Sequence, residues 1–179
     1  MPQFSHAFDV KAAREAVLAL HHDPRALHRL TPPPLFVQLH CFEPLAEGSL
    51  AEFTLWFGPI PVGWRAVHAH VSDQGFTDTQ ETGPLRRWRH RHQFQALDAA
   101  HTRILDEVTF EYEDGLKGLF TRLVFNRPGL LLLFTFRKWA TRWHLRSREQ
   151  RSRTARLVVI LALMLATGVL FRLSVRQGD

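Results

Sequence analysis

Residues 88–94 read Trp88-Arg89-His90-Arg91-His92-Gln93-Phe94, and the alternation in this stretch decides the fold. On a strand, successive side chains point to opposite faces. Trp88, His90, His92 and Phe94 therefore share one face, and Arg87, Arg89, Arg91 and Gln93 share the other. Four buried polar side chains without partners are too costly, so the arginine face is wet and the Trp-His-His-Phe face turns inward. The same sorting of 104–112 sends Ile104, Asp106, Val108, Phe110 and Tyr112 inward, and in 76–80 Phe76, Asp78 and Gln80 share a side. If these strands are neighbours, Asp78, Gln80, His90, His92 and Asp106 gather as a polar cluster in an apolar surround.

Working outward, turn signals separate a run of strands. They are expected at 35–42, 50–57, 62–71, 76–81, 86–96 and 103–113, with turns at Glu47-Gly48, 58–61, Asp73-Gln74-Gly75 and Thr82-Gly83-Pro84. Connections this tight imply an antiparallel meander. Upstream, 4–10 reads as a first strand. Asp9 is expected to cap a helix beginning near Lys11, and Pro24 opens a second short helix that ends before Pro32-Pro33-Pro34. After Asp114-Gly115 the apolar spacing becomes helical through Leu116, Leu119, Phe120, Leu123 and Val124 and on to Phe136, with Pro128-Gly129 kinking or splitting the helix. The order is strand, two short helices, six strands, long helix. This predicts an α+β fold in which a curved sheet covers its apolar face with the long helix and leaves room for a cavity between them.

The chain of 179 residues is 45% hydrophobic and 22% charged, with 14 Phe and 5 Trp, enough for one domain with a large aromatic core. Its single cysteine, Cys41, excludes an internal disulfide framework and a multi-cysteine zinc site. A buried structural thiol is expected there. Residues 1–82 carry a net −4 and residues 83–179 a net +10. The excess is concentrated in 137–156, where Glu149 alone opposes eight basic residues. Residues 1–10 show no basic region followed by an apolar run, so no signal peptide is expected.

Residues 157–171 read LVVILALMLATGVLF, without a charge. As a helix they span about 22 Å at 1.5 Å per residue. Snorkelling by Arg172 extends the span to residue 175, roughly 28 Å, close to the hydrocarbon thickness. The organisation expected is a ligand-binding domain at 1–148, a basic linker at 149–156, a transmembrane helix at 157–175 and a short tail at 176–179. Arg148, Arg151, Arg153, Arg156 and Arg172 would meet the membrane. The basic excess ahead of the span places the domain in the cytoplasm, single-pass. Beside an apolar span, that patch suits anionic headgroups rather than nucleic acid.

Several local sequences, in this order, resemble the SRPBCC superfamily, the helix-grip fold of START lipid-transfer domains, Bet v 1-like proteins and polyketide cyclase/dehydrase-like proteins. They are Leu30-Thr31-Pro32-Pro33, Gly75-Phe76-Thr77-Asp78-Thr79-Gln80, Gly83-Pro84, the strand 88–94, Asp106-Glu107-Val108-Thr109-Phe110, and Phe136-Arg137 in the last helix. The resemblance covers about residues 4–145, and the anchor lies outside it. It implies an internal, mostly apolar pocket for a lipid, sterol, quinone or aromatic polyketide. Only some members are enzymes, so fold does not supply an activity.

The residues expected at the pocket are Phe76, Asp78, Gln80, Trp88, His90, His92, Phe94, Asp106, Phe110 and Tyr112. A hydrophobic small-molecule ligand and membrane lipids are the partners expected. Three readings of the polar cluster stand side by side. It is a satisfied His–Asp network that fixes strand pairing, a hydrogen-bonding site for a ligand's polar head, or an acid–base pair with His90 and Asp106 as catalytic candidates in cyclase or dehydratase chemistry. A membrane scaffold with a filled core is the remaining alternative. His90-x-His92 with Asp106 has metal-binding donors, but two histidines on one strand face are a weak signal. No metal and no cofactor are expected. His68-x-His70 has the same spacing without a clear direction. His21-His22 is expected to complement a helix end or to be solvated.

Overall fold

The computed structural model describes residues 1–146. The run 157–175, its basic approach and the five arginines assigned to the membrane therefore lie outside the described residues, except that the approach begins within the last helix. Seven strands, β1 (Gln3–Val10), β2 (Phe36–Phe42), β3 (Leu50–Phe57), β4 (Ile60–Ser72), β5 (Gly75–Thr82), β6 (Arg87–Asp98) and β7 (His101–Glu111), follow the expected order, one strand before the short helices and six after them. Helices α1 (Arg14–His22) and α2 (Ala26–Arg29) follow β1, and α3 (Gly115–Val124) and α4 (Arg127–His144) close the order. The sheet runs β1-β7-β6-β5-β4-β3-β2, antiparallel throughout. The chain thus places its first two strands at opposite edges, joined by α1 and α2.

The long helix is split rather than kinked. Asn126 stops α3, and its side chain accepts a hydrogen bond from the Gly129 backbone N–H at 2.8 Å, capping α4 with Pro128 in the first turn. This is the capping chemistry an Asn-x-Pro sequence favours. The two helices meet at 48°. Among the described residues no single helix is long and apolar enough to cross a membrane, and the bent α3–α4 pair meets that test by length and composition only.

Alternation in β6 holds residue by residue: Trp88, His90, His92 and Phe94 are buried, and Arg87, Arg89 and Arg91 are exposed. Two apolar clusters form on this inner face. One gathers Phe53, Trp64, Trp88, Phe110, Phe125 and Phe134, and the other Phe8, Val17, Phe76, Phe94 and Ile104. His90 and His92 on β6, and Asp106 on β7, fall between them. Phe134 of α4 is fully buried against Phe4 and against the edge of the His90 ring, at centroid distances of 5.2 Å in both cases.

Two local expectations are corrected. Asp9 does not cap α1. It stays in β1 and takes a two-point ion pair from Arg103, while α1 starts after Ala13 with no side-chain cap. Cys41 is exposed, not buried. A bulge between Leu39 and Cys41 adds one residue to β2, so the thiol turns out and Phe42 turns in.

Candidate functional site

Between the sheet and the helices lies a cavity of about 390 Å³, within the range of small-molecule sites. Ala26, Leu27 and Leu30 of the α1–α2 region, the proline run 32–34, Phe53, Trp64 and Trp88 of the sheet, and Phe125, Leu130, Leu133 and Phe134 of the helices make its apolar wall. Apart from Thr31, its polar lining is a group of charged and imidazole side chains: His21, His68, Asp78, His90, His92 and Arg137.

The sheet brings these side chains together through register. His90 stands opposite Asp78 and Val108, and His92 opposite Phe76 and Asp106. Contacts then run in a line across four strands. The Ser49 carbonyl takes the His68 Nδ1 proton at 3.0 Å, and His68 Nε2 lies 3.3 Å from Asp78 Oδ1. His92 Nε2 donates to Asp78 Oδ2 at 3.1 Å, and His92 Nδ1 lies 2.9 Å from Asp106 Oδ1. His90 Nε2 donates to the same Asp106 oxygen at 3.1 Å. The His92 Nδ1–Asp106 approach is an ion-pair contact rather than an aligned hydrogen bond, and His68–Asp78 is a close approach without one.

Protonation follows from these neighbours. Burial works against a charge on His92, but Asp106 and Asp78 on its two nitrogens outweigh it and raise the imidazole to about 9. His92 is thus a cation at neutral pH, donating from Nε2 to Asp78 and in ion-pair contact with Asp106 through Nδ1. Burial, and then the His92 charge, push His90 down to about 4, despite Asp106. Burial also opposes ionisation of Asp78 and Asp106, yet the histidines hold both below the usual carboxylate range. Two carboxylates, one imidazolium and neutral His90 is the arrangement that minimises unpaired buried charge.

Asp78, His90 and His92 each offer a ligand atom, all within 4.8 Å of one another. Those residues could hold a metal, but here all three are engaged in hydrogen bonds, His90 with Asp106 and His92 with Asp78. A cation would have to displace the His92 proton from between two carboxylates.

Of the residues expected at the pocket, Phe76, Asp78, Trp88, His90 and His92 line it. Asp106 lies one layer behind, holding both histidines. Phe94 and Phe110 are packed into the two apolar clusters. Gln80 donates to the Leu85 carbonyl at 2.6 Å, which fixes the β5–β6 turn, and the Tyr112 hydroxyl donates to the Phe125 carbonyl at 3.2 Å, at the end of α3.

Three lining residues had no inward expectation. His21 is not a solvated helix end. Its Nδ1 donates to the Val17 carbonyl at 2.8 Å, and its ring packs against Phe94, His92 and Phe76. Burial lowers it to about 4. His68 and His70, indistinguishable by spacing, part company: His68 is buried, while His70 adopts φ 53° where β4 loses register with β5, and faces out. Arg137, quoted above only as part of the resemblance, points from α4 into the cavity, its guanidinium 5.5 Å over the Phe134 ring.

No family model matches the sequence, and no curated protein matches it. Solved structures do. The chain is similar to a START superfamily protein from Mycobacterium smegmatis at 11% identity and TM-score 0.61, over 80% of this chain and 96% of that one. It is similar to the Zhui aromatase/cyclase from Streptomyces sp. R1128 at 16% identity and TM-score 0.59, over 79% and 94%. A nucleoside-diphosphate sugar epimerase from Corynebacterium glutamicum matches at 25% identity and TM-score 0.59, over 86% of this chain but only 30% of that protein. These likenesses establish the fold, a helix-grip fold in which a curved seven-stranded antiparallel sheet is closed by C-terminal helices.

Proposed function

We propose that the chain is a binding protein for an apolar small molecule, a lipid, quinone or aromatic metabolite, held beside a bilayer by residues 157–175. The observation that carries the reading is the 390 Å³ cavity, apolar on most of its wall and polar at one group of residues. An apolar body packs against Trp64, Trp88, Phe53 and the proline run, and a polar head meets the His–Asp group. The cavity counts against a scaffold with a filled core.

The bilayer part rests on the uncharged run 157–171 with its basic approach, and on a second feature. On α3, Leu116, Leu119 and Leu123 are 87%, 67% and 74% exposed, in one stripe at helical spacing. Leu131 and Leu132 of α4 are exposed as well, Lys117 and Arg122 neighbour the α3 leucines, and Leu132 also lines the cavity. Leucines flanked by cations suit the headgroup boundary of an anionic leaflet. This would set the cavity beside the phase in which its ligand dissolves, with the domain on the cytoplasmic side.

The test is native mass spectrometry of the full chain extracted from its own membrane in mild detergent. A co-purifying molecule of fixed mass is expected. Only apo protein, together with no saturable uptake of any fraction of a membrane lipid extract, would overturn the reading.

The buried His90–Asp106 contact favours a second reading, a cyclase- or dehydratase-type enzyme. Asp106 would orient His90, whose free Nδ1 would take a proton from a bound carbonyl compound. It requires a product formed by the wild type and not by a folded His90→Ala variant.

A further inference from the structure

Arg137 is the charged group of the cavity that makes no ion-pair contact, although the charges of Asp106 and Asp78 act on it from farther off. Among the described residues no carboxylate comes within ion-pair distance of it, and its Nε is buried without a hydrogen-bond partner. The two nearby acids are already engaged. Asp106 faces His90 and His92, and Asp78 faces His92 and His68. A guanidinium keeps its proton under almost any condition, and its planar fork of N–H groups matches two oxygens of one acid. A fork left open in an apolar cavity costs stability unless something fills it.

Two of the rings that line the cavity with Arg137 each keep one nitrogen free of a proton. His90 gives Nε2–H to Asp106, which leaves its Nδ1 unprotonated, and His21 gives Nδ1–H to the Val17 carbonyl, which leaves its Nε2 unprotonated. The Arg137 charge bears on both rings and helps keep both neutral. The open functions are thus a cationic pair of donors and two neutral acceptors.

We propose that the ligand of this cavity is an apolar carboxylic acid, its carboxylate held by the Arg137 guanidinium and its proton by His90 or His21. The proposal rests on the binding reading above and names the class of ligand. Charge decides it. Asp78 and Asp106 are balanced by His92 and Arg137, so a bare anion would leave the buried site one negative charge in excess. An acid that enters as carboxylate plus proton leaves the balance unchanged. The carboxylate forms N–H···O bonds to Arg137, and the proton forms an N–H bond at His90 Nδ1 or His21 Nε2. With the anion in place, the repulsion between that imidazole and Arg137 is offset and the carboxylate itself favours the imidazolium, which raises the ring toward taking the proton against burial and the His92 charge. The other groups facing these rings are His6 on β1, His68 on β4, Asp78 on β5, His92 on β6, Asp106 on β7 and Lys138 beside Arg137. His6, half-buried, is held below its usual value by burial.

The experiment uses the full chain in phosphatidylcholine nanodiscs and two probes of one shape, 2-naphthoate and 2-naphthylmethanol. Binding is followed at pH 7 by naphthyl fluorescence and by calorimetry in phosphate and in Tris, with empty nanodiscs subtracted. The acid is expected to bind at least about tenfold more tightly than the alcohol. Its heat should differ between the buffers by the amount for about one proton taken up per acid bound. Arg137→Gln should remove the preference for the acid over the alcohol. Equal binding of acid and alcohol by the wild type would overturn the proposal and leave the cavity reading intact, and so would a preference that survives Arg137→Gln. Saturable binding of neither probe would overturn the cavity reading as well. The wild-type comparison stands whether or not the variant folds.

Discussion

His92 faces Asp106 directly across the β6–β7 pair, with Nδ1 2.9 Å from Oδ1, and both side chains are buried. The contact ties the polar group to the sheet. Asp106→Asn keeps the shape but leaves the His92 cation with Asp78 alone. Breaking one side of a buried charge pair costs on the order of 3 kcal/mol, and that is the loss expected at pH 7 in urea denaturation.

Stability against pH should be dome-shaped, with its maximum between pH 6 and 7. His92 is raised to about 9, so the folded state binds more protons than the unfolded above about pH 6.5, and stability falls from there toward pH 9. His90 and His21 are lowered to about 4. The unfolded state therefore binds more protons below about pH 6.5, and stability falls again toward pH 4. The depressed carboxylates Asp78 and Asp106 add to the loss at lower pH still. Denaturation across pH 4–9 checks this. His90→Leu should flatten the acid limb and leave the alkaline one, and a wild type equally stable at both ends would contradict the charge assignment.

An aromatic ligand should quench tryptophan. Trp64 and Trp88 meet edge to face at 5.5 Å and both line the cavity, whereas Trp139 and Trp143 are exposed on α4. Anthraquinone titrated into the full chain in nanodiscs should quench saturably. Trp64→Phe and Trp88→Phe should each reduce the amplitude, and Trp139→Phe should not.

The leucine stripe of α3 should matter for membranes and not for folding. Leu116→Ser, Leu119→Ser and Leu123→Ser together remove exposed apolar surface and leave the core untouched. Transfer of a fluorescent fatty acid from the full chain in nanodiscs to anionic vesicles should slow by about tenfold or more, with thermal stability unchanged. An unaltered transfer rate would remove the stripe from the membrane contact.

The sequence was legible where one rule acted alone. In β6 strict alternation told the wet arginines from the buried Trp, His and Phe without help from the rest of the chain. The order of elements was equally open, because turns and prolines punctuate it. Local irregularities hid the rest. The β2 bulge reversed Cys41 and Phe42, and the left-handed His70 separated two histidines of identical spacing. His21 and Arg137 read as helix-surface residues, because nothing in a nine-residue helix or in a basic run tells which turn will lie over a sheet. Gln80 and Tyr112 shared a parity with inward residues, yet each lies near a strand end and serves a backbone carbonyl there. Alternation sets the face of a side chain, but not how far along the face the cavity reaches.

The line from Ser49 through His68, Asp78, His92 and Asp106 to His90 has a consequence for how the chain selects its own fold. From His68 onward each link joins side chains from different strands, so all of them form only when β4, β5, β6 and β7 are in step. A slip of β6 by a single residue would bring Arg89 and Arg91 in among the aromatic rings and cast His90 and His92 into water. A purely apolar sheet face tolerates a slip of two residues, since one oily side chain replaces another. Here the same slip would set Trp88 against an aspartate and leave an imidazolium among phenylalanines, so the acids and bases of the cavity also rule out every neighbouring alignment of the sheet around it.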